Sequence, residues 1–232
     1  HIIAANMDQA LLVTTLAKPA TSTGFMDRFL STAEAYNIPT IIVFNKCDLY
    51  DSEEIRSELD YRKAVYTAIG YHCLETSATK GEGLAELATL LKGKTTLLSG
   101  HSGVGKSTLI NAIEPELNLR TGAVSSSHNK GQHTTTFAEM HPLQMGGDII
   151  DTPGIKGFGL VNMEDTDLSH FFSEIFAISK ECKFHNCKHI NEPQCAVKIA
   201  LDEHKIAPTR YESYLNQLND QDETTHYRST DY

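Results

Sequence analysis

Over the first 150 or so residues, short apolar runs rich in β-branched side chains alternate with longer amphipathic stretches. Leu11-Leu12-Val13, Thr40-Ile41-Ile42-Val43-Phe44, Tyr71-His72-Cys73-Leu74-Glu75, Thr95-Thr96-Leu97-Leu98 and Asp148-Ile149-Ile150 read as strands. The continuous run at 40–44 has the pattern of a strand buried on both faces of a parallel sheet. Helices are expected between them at 24–36, with Phe25, Phe29, Leu30 and Ala33 on one face, then at 52–69, 83–91 and 107–113, the last stopped by Pro115. Residues 137–143 form a further strand that can pair with 148–150. This order predicts an α/β doubly wound sheet with ligands at the carboxyl ends of its strands. The polar stretch 118–136 is long for an irregular segment inside a compact domain, which marks it as mobile or functional.

Past residue 157 the period becomes helical. Leu168, Phe171, Phe172, Ile175 and Phe176 make one apolar face, a short helix starts at Ala196, and Tyr211, Tyr214, Leu215 and Leu218 make a second stripe. The expected organisation is a nucleotide-type domain over 1–160, a small helical domain over 161–220, and a polar, disordered tail over 221–232. The apolar start His1-Ile2-Ile3-Ala4-Ala5 reads as a mid-protein segment, so the chain is expected to be a fragment.

Charge changes the picture in one respect. The 232 residues carry 20 Lys and Arg against 30 Asp and Glu, a net −10, which argues against a general nucleic-acid coat. Between Lys180 and Arg210, however, six Lys/Arg face four Asp/Glu. No apolar run reaches membrane-span length and no signal peptide is visible, so a cytoplasmic protein without membrane association is expected. In such a setting the crowding of three of the five cysteines into one stretch favours a metal site over disulfides.

The chemistry is concentrated where strands end. Gly100-His101-Ser102-Gly103-Val104-Gly105-Lys106-Ser107 reads G-x-x-x-x-G-K-S, a loop whose N–H groups can wrap a polyphosphate. Lys106 is placed to reach the terminal phosphates, Ser107 to ligate Mg²⁺, and Thr108 to continue the helix whose dipole faces the phosphates. Asn45-Lys46-Cys47-Asp48 follows the buried strand. The Asp48 carboxylate can accept from guanine N1–H and the 2-amino group, which adenine does not offer in that arrangement. Ser77-Ala78 follows another strand, and the Ala78 N–H can meet guanine O6. Asp151-Thr152-Pro153-Gly154 has the D-x-P-G form of a Mg²⁺-holding aspartate with a γ-phosphate switch at Asp151, Pro153 and Gly154. The guanine-reading pair thus precedes the phosphate-reading pair.

In this order the chain resembles the ribosome small subunit-dependent GTPase A family (RsgA, also called YjeQ), a circularly permuted GTPase. The residues that carry the likeness are 4–9 (AANMDQ), 45–49 (NKCDL), 103–107 (GVGKS), 131–136 (GQHTTT) and 147–154 (GDIIDTPG). The resemblance runs from Ala4 to about Leu218. It implies a circularly permuted P-loop GTPase sheet followed by a small helical zinc-binding domain. It also implies a GTP hydrolase of late small-subunit (30S) maturation, slow alone and stimulated by the subunit, with the subunit and its rRNA as partners and a monomeric state. Family members also carry an N-terminal OB-fold domain, and no such segment precedes Ala4, which puts autonomous ribosome binding in doubt.

Cys182, Cys187, His189 and Cys195 are spaced C-x4-C-x-H-x5-C, a soft donor set suited to tetrahedral Zn²⁺ and similar to the family's zinc motif. With three thiolates and Zn²⁺ counted as −1, the 180–210 lobe stays near +1, only mildly attractive to RNA. His185 is out of register with these ligands. Ras-like enzymes orient the attacking water with a Gln that corresponds here to Ile155, which cannot hydrogen-bond. His133 is the candidate replacement, its neutral imidazole orienting water, and the resemblance agrees. One of Thr134, Thr135 and Thr136, with Thr135 favoured, is expected to bind Mg²⁺ beside GTP. Gly103 stands where potassium-activated GTPases carry Asn. The competing readings are a non-catalytic, nucleotide-gated RNA-binding module, which Ile155 favours, and an ATPase, which requires discounting Asn45 and Asp48.

Overall fold

The computed structural model describes residues 6–119, 139–151 and 168–228, the last eight as backbone only. Six strands form one sheet: β1 (Gln9–Thr14), β2 (Thr40–Phe44), β3 (His72–Glu75), β4 (Thr95–Ser99), β5 (Glu139–Pro142) and β6 (Asp148–Asp151). Their order is β3-β2-β1-β4-β6-β5, parallel throughout except for the antiparallel β5–β6 edge. Strand order reverses at β1, which has β2 on one side and β4 on the other. That reversal opens the crevice at the carboxyl ends where ligands of such sheets bind. Every residue of β1 and β2 is buried, as two-sided burial of a parallel sheet requires.

Helices α1 (Thr23–Ala35), α2 (Glu53–Ala68) and α3 (Leu84–Leu91) fall in the connections between parallel strands, and α4 (Lys106–Ile113) follows β4 on the way to the antiparallel edge strand β5. Ser22 and Ser52 open α1 and α2 as N-caps, accepting from Phe25 N–H at 3.2 Å and Ile55 N–H at 3.3 Å. Leu11, Val13 and Val43 pack with Leu87, Leu91, Leu109 and Ile149 in a single cluster. Each such aliphatic side chain contributes about 1.5–3 kcal/mol on burial.

The chain divides into two compact units, 1–21 with 37–157, and 22–36 with 158–232. Helix α1, which sequence order places inside the sheet domain, therefore groups with the C-terminal helices α5 (Ser173–Ser179), α6 (Ala196–Asp202) and α7 (Pro208–Arg228). The reason lies in side chains of α1 that meet α7. Asp27 accepts from Arg210 at 2.7 Å, Ser31 donates to Gln217 at 2.8 Å, and Arg28 pairs with Asp220. Phe172, Ile175, Val197, Ile206, Tyr214 and Leu218 form the second unit's apolar cluster.

Two details differ from the sequence expectation. The stripe at 168–176 is not one helix: a 3-10 turn (Leu168–Phe171) is separated from α5 by Phe172 in extended backbone. Phe172 is fully buried there, with its ring 4.5 Å from the Arg210 guanidinium carbon. Helix α7 also runs on to Arg228, into the segment expected to be disordered. Residues 219–228 contain no Gly or Pro, so nothing stops a helix already nucleated by the buried stripe before them.

Candidate functional site

Four of the five parallel strands, β2, β3, β4 and β6, end in the candidate loops. Gly100, His101, Ser102, Gly103, Val104 and Gly105 turn from β4 into α4, which Lys106, Ser107 and Thr108 open. Glycine is required at two of these places. A Cβ on Gly100 would lie 2.2 Å from Val13 O, and one on Gly105 2.6 Å from Asn45 Nδ2; both have positive φ, 143° and 98°. Val104 is fully buried and anchors the turn in the core. Lys106 Nζ donates to Gly100 O at 2.7 Å and His101 O at 3.1 Å, so the ammonium lies over the loop it is expected to serve.

Asp151 ends β6, the strand beside β4, with Leu98 as its register partner. Burial pushes its carboxyl above the usual aspartate range, opposed by the Lys106 charge. Burial likewise pulls Lys106 below the usual lysine range, opposed by Asp151. Both charges are thus partly desolvated at one place, and Asp151 Oδ1 is buried without a hydrogen-bond partner. An orphaned carboxylate oxygen beside a glycine loop fits a water-bridged Mg²⁺. Pro153, Gly154, Ile155, His133 and Thr134–Thr136 lie outside the described residues.

The guanine corner is joined to the phosphate loop by Asn45. Its Nδ2 donates to Val104 O at 2.9 Å and its Oδ1 accepts from Thr76 Oγ1 at 3.0 Å, so one buried amide links the ends of β2, β3 and β4. Asn45 therefore acts on the loops, a role that its place in a four-residue motif does not disclose. Lys46 has left-handed backbone, φ 66°, and its Nζ donates to Gly103 O at 2.6 Å and Lys18 O at 3.1 Å. Cys47 N–H donates to Thr76 O at 3.1 Å, and burial pushes the Cys47 thiol up to about 11. Asp48 Oδ1 accepts from Ser77 Oγ at 2.6 Å and Oδ2 from Thr79 Oγ1 at 3.0 Å. The Ser77 bond holds its carboxyl below the usual range, so Asp48 stays an acceptor at neutral pH. Ala78 follows in the same turn, which Ser77 closes by a backbone bridge to Glu82. Tyr50 and Thr15 complete this corner and are not among the residues picked from the motifs. Their only signal in the sequence is nearness to a strand end.

In the second unit Cys182, Cys187, His189 and Cys195 place their ligand atoms within 4.8 Å of one another. Cys182 Sγ and Cys195 Sγ are 4.0 Å apart, and His189 Nδ1 lies 3.6 Å and 3.4 Å from them. Tetrahedral Zn²⁺ with bonds of about 2.0–2.3 Å implies edges of about 3.3–3.8 Å, so the donor set and spacing are compatible with zinc. Burial and the Cys195 sulfur push the Cys187 thiol up to about 12, a cost that a bound cation offsets. Tyr211 OH donates to His189 O at 2.6 Å and Tyr214 OH to Lys188 O at 3.0 Å. Glu192 gathers N–H groups from Lys188, Ile190 and Asn191. Sheet, loops and cluster together define a permuted P-loop protein with a small cysteine- and histidine-bearing unit.

The RsgA GTPase family model matches residues 1–161. A small ribosomal subunit biogenesis GTPase RsgA of Flavobacterium psychrophilum is 53% identical over 232 residues, covering 100% of this chain and 70% of that protein. Its counterpart from Porphyromonas gingivalis is 57% identical, covering 95% and 71%. The crystal structure of YjeQ from Thermotoga maritima matches with TM-score 0.80 at 38% identity, over 93% of this chain and 72% of that one. YloQ, solved as a circularly permuted GTPase, matches with TM-score 0.77 at 33% identity, over 94% and 69%. The chain belongs to the RsgA GTPase family. Its sheet is accordingly the permuted GTPase sheet expected from the order of its motifs. Among the described residues no helix is long and apolar enough to cross a membrane.

Proposed function

We propose that this chain binds GTP or GDP with Mg²⁺ and hydrolyses GTP during late maturation of the small ribosomal subunit, in the cytoplasm and as a monomer. Hydrolysis of GTP follows from the family; the subunit is the partner that its relatives' names supply. The observation that supports the site best is Asn45, which bonds the phosphate loop at Val104 and the Thr76–Ser77–Ala78 turn through one side chain. Three loops from three strand ends then act on one nucleotide. Asp48, with Ala78, reads the guanine edge; the backbone of 100–105, with Lys106, holds the phosphates; Ser107, Thr135 and Asp151 hold Mg²⁺, which offsets phosphate charge. His133 orients the attacking water, since Ile155 cannot. The Cys182, Cys187, His189 and Cys195 cluster holds one structural Zn²⁺, and its lobe meets rRNA.

The test is GTP hydrolysis by the full-length protein with and without purified small subunits. Slow basal turnover that rises sharply with subunits is expected; an unchanged rate refutes the ribosome-coupled role. Ile155 favours the rival reading of a non-catalytic, nucleotide-gated RNA-binding module. His133→Ala separates the two: GTP binding kept, with stimulated hydrolysis down about 10²-fold or more, supports the enzyme.

A further inference from the structure

Tyr50 lies one residue beyond the Cys47–Leu49 turn that carries Asp48, and it is buried to 1% exposure. Its phenol oxygen meets three partners. It donates to Asn45 O at 2.7 Å, accepts from Leu16 N–H at 2.9 Å, and lies 3.2 Å from Thr15 Oγ1. A phenol has one hydrogen, which goes to the nearer acceptor, Asn45 O. The Thr15 hydroxyl, already accepting from Ala17 N–H at 3.0 Å, is left to donate to Tyr50.

The geometry makes a strut. Asn45 enters the turn and Tyr50 leaves it, and the phenol bonds the entry carbonyl while Tyr50 N–H bonds Cys47 O at 3.1 Å and Leu49 N–H bonds Lys46 O at 2.9 Å. Thr15 and Leu16 follow the end of β1, so the same oxygen fixes the turn to the central strand. Asp48 is carried on this closed frame, behind the left-handed Lys46. Reading guanine needs both carboxylate oxygens aimed at two parallel donors, a geometry that tolerates about 0.5 Å and 10–20° of error. The Ser77 and Thr79 hydroxyls orient the carboxylate itself, whereas the backbone beneath it is held over the sheet by the Cys47 N–H to Thr76 O bond on one side and by the Tyr50 phenol on the other.

We infer that Tyr50 is a positioning residue for guanine recognition, acting through the backbone that carries Asp48. The inference rests on the proposed reading of Asp48 as the guanine acceptor. Inosine diphosphate tests it, because it lacks the 2-amino group and so loses one of the two bonds that a misplaced carboxylate loses. Binding of GDP, IDP and ADP with Mg²⁺ is measured for the wild type, Tyr50→Phe and Asp48→Asn, alongside melting temperature. Tyr50→Phe is expected to weaken GDP about tenfold and IDP less, so that the GDP-to-IDP ratio falls at least about threefold while ADP is unmoved. A purely structural tyrosine lowers the melting temperature and leaves that ratio alone, which overturns the inference. Should Tyr50→Phe not fold, Thr15→Val removes one partner of the phenol; a smaller fall in the same ratio supports the strut, and an unchanged ratio overturns it. A wild type that binds GDP and ADP alike, with Asp48→Asn silent, defeats the guanine reading and this inference with it. A wild type that prefers GDP with the ratio preserved in Tyr50→Phe defeats the strut alone.

Discussion

The polar groups buried in the two units are of different kinds. In the sheet unit the network behind the nucleotide loops is neutral and closed on itself, with Asp151 and Glu114 as charged exceptions: Asn45 with Val104 O and Thr76, Tyr50 with Asn45 O and Leu16 N–H, Gln9 with Leu90 O and Thr96. In the helical unit, beside neutral pairs such as Ser31 with Gln217, there is a buried charged network and a donor cluster compatible with a cation. Arg210, 1% exposed, is held between Asp27 at 2.7 Å and Glu174 at 2.7 Å, and the same unit holds the sulfur and imidazole cluster, which ends fifteen positions earlier at Cys195. A six-stranded sheet with helices buries enough apolar surface to keep its polar groups for positioning loops. The helical unit has a smaller apolar cluster, and a unit of that kind commonly draws further stability from ionic bonds or metal coordination. The loop-positioning groups are therefore held by neutral bonds within the fold, whereas the second unit carries a compensated buried charge and a donor cluster compatible with a bound ion.

Metal removal is the largest lever on that contrast. Cys187→Ala, or strong chelation of the full protein, is expected to abolish a stoichiometry of one Zn²⁺ per chain by elemental analysis and to melt the helical unit. Structural zinc contributes on the order of 10 kcal/mol in small folds. GDP affinity should change by less than about tenfold, since the neutral network of the sheet unit does not involve the ion. A parallel collapse of GDP binding would break the comparison, and α1, whose two ends join the sheet unit, would be the route.

Arg210 gives the next effect. Burial alone would lower its charged form's stability, but Asp27 and Glu174 outweigh this and hold the guanidinium above the usual arginine range. Arg210→Met leaves two carboxylates without their cation and is expected to cost about 3–5 kcal/mol in urea denaturation. Replacing Arg210, Asp27 and Glu174 together by apolar residues should recover most of it, because the desolvation of all three charges is then avoided. Failure of that recovery would mean that the ions specify how α1, α5 and α7 pack, beyond compensating one another.

The smallest effect concerns acid. Asp48 has its folded value depressed by the Ser77 hydroxyl, so its contribution is complete above the unfolded aspartate value and disappears only as pH falls through the folded one. The contribution of Asp48 to GDP binding, read as the difference between wild type and Asp48→Asn, should therefore stay flat from pH 8 to 5. Ser77→Ala should move the Asp48 titration, followed by carboxyl NMR, upward toward the ordinary aspartate range. An unmoved titration would mean that the backbone and Thr79 suffice, and that Ser77 only closes the turn to Glu82.

Much of this protein is decided by its sequence. Continuous apolar runs 40–44 and 95–98 can be satisfied only by burial on both faces, and the glycines at 100 and 105 stand where a Cβ has no room. Motif order alone determined the permutation, because strand ends meet in space whatever their order along the chain. The donor types and spacing of Cys182, Cys187, His189 and Cys195 determined that they could gather. Tertiary structure alone decided the rest. Asn45 acts on Val104 O and Tyr50 on Leu16 N–H, backbone groups far along the chain that leave no trace in side-chain identity. Helix α1 groups with the C-terminal helices because Arg210, 183 positions beyond Asp27, is buried against it. A long-range ion pair has no periodicity to read, so no local pattern could have assigned that helix to its unit.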